Sequence, residues 1–465
     1  MKKLDRRQFL RTSLIGATTL SPLSALLGVL PEARAADSSG GYKALVCVLL
    51  EGGADVFNMV VPKQGAAYEA YRNARGTMAI SGGSLLKLDP VRYDDGVSYG
   101  FHPRMNRMHE LFDQQKLAVI ANVGTLVQPV TRAEILNGAP VPNQLFSHNT
   151  QRDQWMTADA AVRQKAGWAA RMADAFAPDE PLFNLTSGGK NLMQQGGDKS
   201  AFEFDGSDIY AFDDYYAFRE DGSLGEIYRQ LLQHNSTHGN HLVEAFAHRR
   251  TNNIQLFNVL SGILESAPDF PEFTAGIHES GMPFGMQLRA VARMLAVKDR
   301  VPNRPQRQVF FVNYHGWDTH DTPLDADSHL VDYLDKSLGA FQDALAQLGL
   351  EQQVTTFTCS DFGRSITPNG KGSDHGWGGH AFVMGGAVKG GDIYGTMPRI
   401  RKESPDALDD RLIPGISVEQ YYAPLATWFG ASEQELGVIF PNLYRFSASR
   451  LEFMDQEVLF SDGFE

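Results

Sequence analysis

The sequence predicts a doubly wound α/β fold, with a mostly parallel sheet, helices on both faces and a helical insertion. Three observations predict it. Several apolar runs are continuous and β-branched rather than alternating, which suits strands covered on both faces. Segments of helical period lie between them. Carboxylates and imidazoles gather just after the runs, where open α/β sheets place their ligand sites.

Taken in chain order, the first segment is a leader. "DRRQFL" (Asp5–Leu10) pairs Arg6 with Arg7, an apolar run follows, and Ala33 and Ala35 form an A-x-A cleavage point. Pro22 and several Ser, Thr and Gly break the run, so residues 1–35 read as a twin-arginine signal peptide rather than a span. The expectation is a periplasmic or extracellular protein, passed through the twin-arginine export machinery, with no integral membrane segment in the mature chain. The strand runs are "ALVCVLL" (Ala44–Leu50), "LAVIANV" (Leu117–Val123), "QVFFVNY" (Gln308–Tyr314), "QVTTFTCS" (Gln353–Ser360) and "AFVMGGAV" (Ala381–Val388). Helical patterns follow in "RMNRMHELFDQ", "GWAARMADAFA", "GMQLRAVARMLAV" and "HLVDYLDKSLGAFQDALAQLG", the last ending at Gly349. Residues from about 200 to 285 interrupt the alternation and read as a helical insertion, opening on the acidic, aromatic "DGSDIYAFDDYYAF". The α/β domain is expected over 42–446, with 447–465 a tail of no assigned role.

Charge narrows the partners. Residues 1–35 hold six Lys and Arg against two Asp and Glu, so their removal moves the net charge from −13 to −17. Nucleic acid and anionic lipid are poor partners for such a chain, whereas hard cations suit carboxylates. Cys47 and Cys359 both lie in strand runs. Two cysteines exclude a disulfide scaffold. Two buried thiols are expected, with a bond between them as the alternative.

The chemistry-bearing residues sit at strand ends. "EGGAD" after the first run supplies Glu51 and Asp55. "NYHGWDTH" after the third supplies His315, Asp318 and His320, and "SDFGR" after the fourth supplies Asp361. The loop "NGKGSDHGWGGH" adds Asp374, His375 and His380. Singly, each reads as readily as a cap, a turn former or a surface histidine. Together they form the set of carboxylates and imidazoles that a two-cation hydrolytic site requires. Extended backbone points residues i and i+2 to one side, so Asp318 and His320 are expected to reach one cation. "NGKGS" fails the phosphate-loop spacing, because Gly372 follows Lys371.

These motifs, with "LLEGGADVFNMVVP", "LFSHNTQRDQW", "SDFGRSITPNGKGSDHGWGGH" and "GGAVKGGDIYG", resemble one family from about Lys43 to Tyr444. It is the exported bacterial family known as domain of unknown function "fifteen-oh-one", within the alkaline phosphatase-like superfamily. The resemblance implies a two-metal site and a Ser or Thr nucleophile. Asp55, Asp318, His320, Asp361 and His380 match the expected ligands, and Ser147, beside His148, falls in the region of the nucleophile. Phe362 stands where active relatives have a histidine, and Asp318 and His320 are closer together than in many relatives. His375 and His315 are the residues available to compensate. His102 in "GFHPRMN" is a further possible site residue. The leading expectation is an exported hydrolase of phosphate or sulfate esters on small molecules or polymers. It would use a two-metal site of divalent ions (Zn, Mn, Mg or Ca), Ser147 attacking in line and Arg364 holding a non-bridging oxygen. The alternative is a non-catalytic exported binding or assembly protein that keeps the fold.

Overall fold

The computed structural model describes residues 41–455 apart from 162–164, 177–179, 181, 198–200, 205–208, 211–222, 238, 274–281, 322–323 and 447–450. The leader, most of the acidic, aromatic stretch and most of the tail lie outside the described residues.

A ten-stranded sheet organises the chain. Its strands are β1 (Lys43–Leu50), β2 (Leu117–Gly124), β3 (Asn184–Thr186), β4 (Phe202–Phe204) and β5 (Ile209–Tyr210). They continue with β6 (Arg307–Tyr314), β7 (Val354–Ser360), β8 (Gly379–Met384), β9 (Asp392–Tyr394) and β10 (Ile416–Ser417). The order is β9-β2-β8-β7-β1-β6-β3-β4-β5, with β10 also pairing β2. β1 is central and parallel to both β6 and β7. The run expected at 381–388 is instead β8, which is antiparallel to β7 and β2. The sheet is therefore mostly parallel, with β8 reversed inside it and β5 reversed at its edge. The insertion also differs from a purely helical one, because β4 and β5 extend the sheet before α5 (Ser223–Asn235) and α6 (His241–Leu264) begin.

Both faces of β1 are covered, as its unbroken apolar run requires. Ala44, Val46, Val48 and Leu50 enter one core with α2 (Asn106–Asp113), α7 (Phe284–Ala296) and α8 (Leu324–Leu348). Leu45, Cys47 and Leu49 enter the other, with α4 (Trp168–Phe176) and α9 (Val418–Phe429). The Cys47 and Cys359 sulfurs, on neighbouring strands, are 3.6 Å apart, buried and free. No described helix is long and apolar enough to cross a membrane.

Register sets up the site. Leu50 is level with Tyr314 on one side and Ser360 on the other, so Glu51, His315 and Asp361 leave the sheet at one height on its carboxyl edge. Gly52 has φ +118°, and a Cβ there would strike the backbone of Asp318. This close approach of the two loops is one that only glycine permits.

Candidate metal centre

Four side chains converge above that edge. His148 opens α3 (His148–Thr157), Asp318 and His320 follow β6, and His375 ends the short strand Ser373–His375. Ligand atoms of His148, Asp318 and His375 all lie within 4.8 Å of one another. His148 Nε2 is 3.4 Å from one carboxylate oxygen of Asp318, and His320 Nε2 and His375 Nε2 are 3.2 and 3.5 Å from the other. Three imidazoles thus turn the same nitrogen toward one carboxylate. His320 and Asp318, two residues apart, face each other.

The far nitrogen of each ring is held from behind. His148 Nδ1 meets Asp361 at 2.8 Å, His375 Nδ1 donates to the Phe146 carbonyl at 2.7 Å, and His320 Nδ1 lies 3.4 Å from Asp374. A proton fixed on Nδ1 leaves the Nε2 lone pair outward, the arrangement metal-ligating histidines use. His375 Nε2 is buried without a hydrogen-bond partner, a cost that a bound cation would remove. Three imidazole nitrogens and one carboxylate oxygen are a donor set that fits zinc and related divalent ions. Asp361 and Asp374, expected as ligands, instead stand behind the histidines.

Phe362 forms the floor. Its ring centre is 4.8 Å from that of His148 and 4.5 Å from that of His375. A Cβ on Gly53, at φ +85°, would run into this phenyl ring. The aromatic residue that departs from the superfamily pattern therefore packs beneath the imidazoles, and His375 arrives from the neighbouring loop. Trp317 is buried against Tyr314.

Charge follows the contacts. Burial raises the Asp318 carboxyl, but the Arg364 hydrogen bond, its charge and the nearby imidazoles outweigh this and hold it below the usual range. The bond to Asp361 raises the His148 pKa, whereas burial lowers that of His375.

Several expected roles fall differently. Arg364 is wholly buried and donates to the carbonyls of Gly53 (2.6 Å), Ser373 (3.1 Å), Gly52 (2.7 Å) and Trp317 (2.6 Å), and to Asp318 (2.9 Å). It fixes loops and aims Asp318, so its guanidinium is committed rather than open to an ester oxygen. Asp55 is paired with the buried Arg75, whose charge already answers it. His380 is enclosed, packs edge-on against Phe57 and accepts the Asn122 N–H at 3.2 Å; burial lowers its pKa to about 3. His315 Nδ1 meets Glu51 at 2.6 Å rather than joining the ligand group. Ser147 holds the N-cap position of α3, yet its hydroxyl makes no capping bond. His102 is buried, and burial lowers its pKa to about 4. Sequence reasoning missed Arg75, Arg152 and the Phe146 carbonyl, and gave Glu51 no role. Arg152 was findable, since it stands one helical turn beyond His148.

Residues 235–414 match the family described as "Protein of unknown function (DUF1501)". The match is confined to that segment. The segment carries Asp318, His320, Asp361, Arg364, Asp374, His375 and His380, whereas His148 comes from outside it. No curated protein sequence matches. Solved structures of similar fold include the PsFucS1 sulfatase from Pseudoalteromonas sp., at 9% identity and TM-score 0.37, covering 90% of this chain and 74% of that one. The lipoteichoic acid synthase LtaP from Listeria monocytogenes matches at 10% identity and TM-score 0.30, covering 78% and 68%. The C-terminal periplasmic domain of EcEptC from Escherichia coli, in complex with Zn, matches at 10% identity and TM-score 0.28, covering 83% of each. At those scores the likenesses carry no argument, and the chemistry rests on this chain's own residues.

Proposed function

We propose that this protein is an exported, metal-dependent hydrolase of phosphate or sulfate esters, working from one cation held by His148, Asp318, His320 and His375. The observation that carries this reading is the convergence of three Nε2 atoms, each backed at Nδ1, on one carboxylate. A divalent ion held there supplies Lewis acidity to an ester oxygen. The chain's own part is positional. Asp361, Asp374 and the Phe146 carbonyl keep the imidazoles turned inward, Arg364 holds Asp318, and Phe362 excludes water from below. Ser147 is the proposed nucleophile, because it adjoins His148 and its hydroxyl is not spent on the helix end. Its oxygen would bond to phosphorus or sulfur as the bond to the leaving alcohol breaks, the serine proton passing to that alcohol, and water would then release the phosphate or sulfate and restore the hydroxyl.

The test is metal analysis of purified protein with turnover of aryl phosphate and aryl sulfate esters, before and after chelation and reloading. About one equivalent of ion and metal-dependent hydrolysis are expected; neither appearing would end this reading. A Ser147→Ala variant at the wild-type rate would assign the attack to water. Export is tested by Arg6→Lys with Arg7→Lys, which should hold the precursor in the cytoplasm.

A second reading, a binding protein that retains the fold, draws on Asp55 and His380. The expected ligands for a second cation are engaged by Arg75 and by apolar burial. Stoichiometric metal with no hydrolysis of either ester class would favour it.

A further inference from the structure

The backbone that leads into α3 is strained, and the strain has an identifiable use. Gln144 and Phe146 both take positive φ, at +51° and +70°. For a bulky residue such as Phe146, which directly precedes the N-cap Ser147, this left-handed conformation is an outlier that persists only where the surroundings impose it. Its contacts do so. The Phe146 N–H donates to Oε1 of Gln151, a wholly buried residue. The Phe146 carbonyl accepts from His375 Nδ1 at 2.7 Å. The Arg411 guanidinium lies over the Phe146 ring, 4.5 Å from its centroid, where a cation is drawn to an aromatic face.

Arg411 closes the arrangement from the other side. Its Nε donates to the backbone carbonyl of His375 at 2.8 Å, and its Nη1 to that of Asp409 at 2.8 Å. It therefore touches both partners of the Phe146–His375 bond, one through its charge and one through an N–H. A tight hairpin delivers it, Ala407–Leu408 paired with Arg411–Leu412, whose central Asp409 and Asp410 have φ +45° and +70°. Left-handed backbone at both centres is what so short a connection requires. The hairpin is pinned in turn. The Asp410 carboxylate accepts from the Thr367 N–H at 2.8 Å and from its hydroxyl, and the Asp410 carbonyl accepts the Ile366 N–H at 2.9 Å. Both belong to the strand Arg364–Pro368, whose first residue pairs with His375. His375 is thus held at its carbonyl, at Nδ1 and, by Phe362, at its ring face. What it still presents is Nε2, turned toward Asp318.

We propose that Arg411 is a positioning residue of the metal centre: it clamps Phe146 in its strained conformation and so keeps His375 Nε2 aimed at Asp318 even without a bound ion. The proposal rests on the metal-centre reading above but is tested apart from hydrolysis. Zinc affinity is measured by competition with a chelator, the visible spectrum is recorded with cobalt(II), and the His375 Nδ1 proton is followed by NMR of metal-free protein carrying isotope-labelled histidine. Arg411→Ala should lose zinc affinity by about 10-fold to 100-fold, change the cobalt spectrum and lose the slowly exchanging His375 proton. Arg411→Lys, which keeps the charge but not the Nε donor, should fall between. Phe146→Leu should match Arg411→Ala, whereas Phe146→Gly should lose less, because glycine takes positive φ at no steric cost. Adding Phe146→Gly to Arg411→Ala should therefore restore part of the lost affinity, a rescue that a general loss of stability would not give. Should Arg411→Ala fail to fold, Arg411→Lys and Phe146→Leu carry the same test. A wild type that takes up no zinc, while its His375 proton still depends on Arg411, would sink the hydrolase reading and leave this one standing. An unchanged His375 proton in Arg411→Ala would overturn it, whether zinc affinity holds or falls.

Discussion

Two groups of strand-end residues look alike in the sequence and do different things in the fold. Asp318, His320 and His375 meet His148 in a half-open cluster whose buried nitrogen has no hydrogen-bond partner. Asp55 follows β1 and His380 lies near the start of β8, two strands away at the same edge, but Arg75 answers the first and Phe57 packs on the second. The difference lies in what comes from elsewhere in the chain. A carboxylate with a guanidinium against it is a fold-stabilising pair. A carboxylate with three imidazole Nε2 atoms turned toward it is a donor set that suits a cation.

Substitutions can break or sharpen this contrast. The largest effect is expected at the closed group. Asp55→Asn leaves Arg75 buried without its counter-charge and should cost about 3–5 kcal/mol of stability, read by denaturant unfolding, with metal content unchanged. A loss of metal there would erase the distinction. At the open group, Asp318→Ala should lower metal affinity by about 100-fold or more, because its carboxylate is the point on which the three rings converge. The fold should persist, as checked by circular dichroism and by metal titration. Asp361→Asn should weaken metal binding by about 10-fold to 100-fold, through the orientation of His148 rather than through a lost ligand. His148→Ala combined with Asp361→Asn should then add little to His148→Ala alone.

A smaller effect separates burial from binding by pH. Glu419 is fully enclosed, and burial raises its pKa to about 8, against about 4.3 in an unfolded chain. The folded state therefore holds a proton that the unfolded state releases between those values. Stability contributed this way is complete below about pH 4 and declines toward pH 8, by up to about 1.4 kcal/mol per pH unit. Glu419→Gln should flatten that decline in thermal melts and leave metal content alone.

Much of the fold was legible because buried strands announce themselves. "ALVCVLL" and "QVFFVNY" could sit only where both faces are covered, and they became adjacent parallel strands. The reversal of β8 was not legible, since an apolar run carries no direction. It is set by the loop 361–378, which keeps the chain at the carboxyl edge after β7, and by pairing with β2 and β7. In the site, "DTH" announced itself through its i, i+2 spacing. The demotion of Asp361 and Asp374 to holding histidines could not be read, because it depends on α3 lowering His148 onto the sheet from far away in sequence. Arg364 misled for a similar reason: the basic residue after "SDFG" looks free in a linear chain, and three loops close around it.

His148 and His375 lie 227 positions apart, and each histidine's Nδ1 support comes from a segment other than its own. No fragment made early in synthesis holds more than a part of the set, so tight capture of an ion has to wait until the chain has grown beyond His375 and folded. On the proposed reading, the supply of metal is therefore a matter of timing as much as of ligand chemistry.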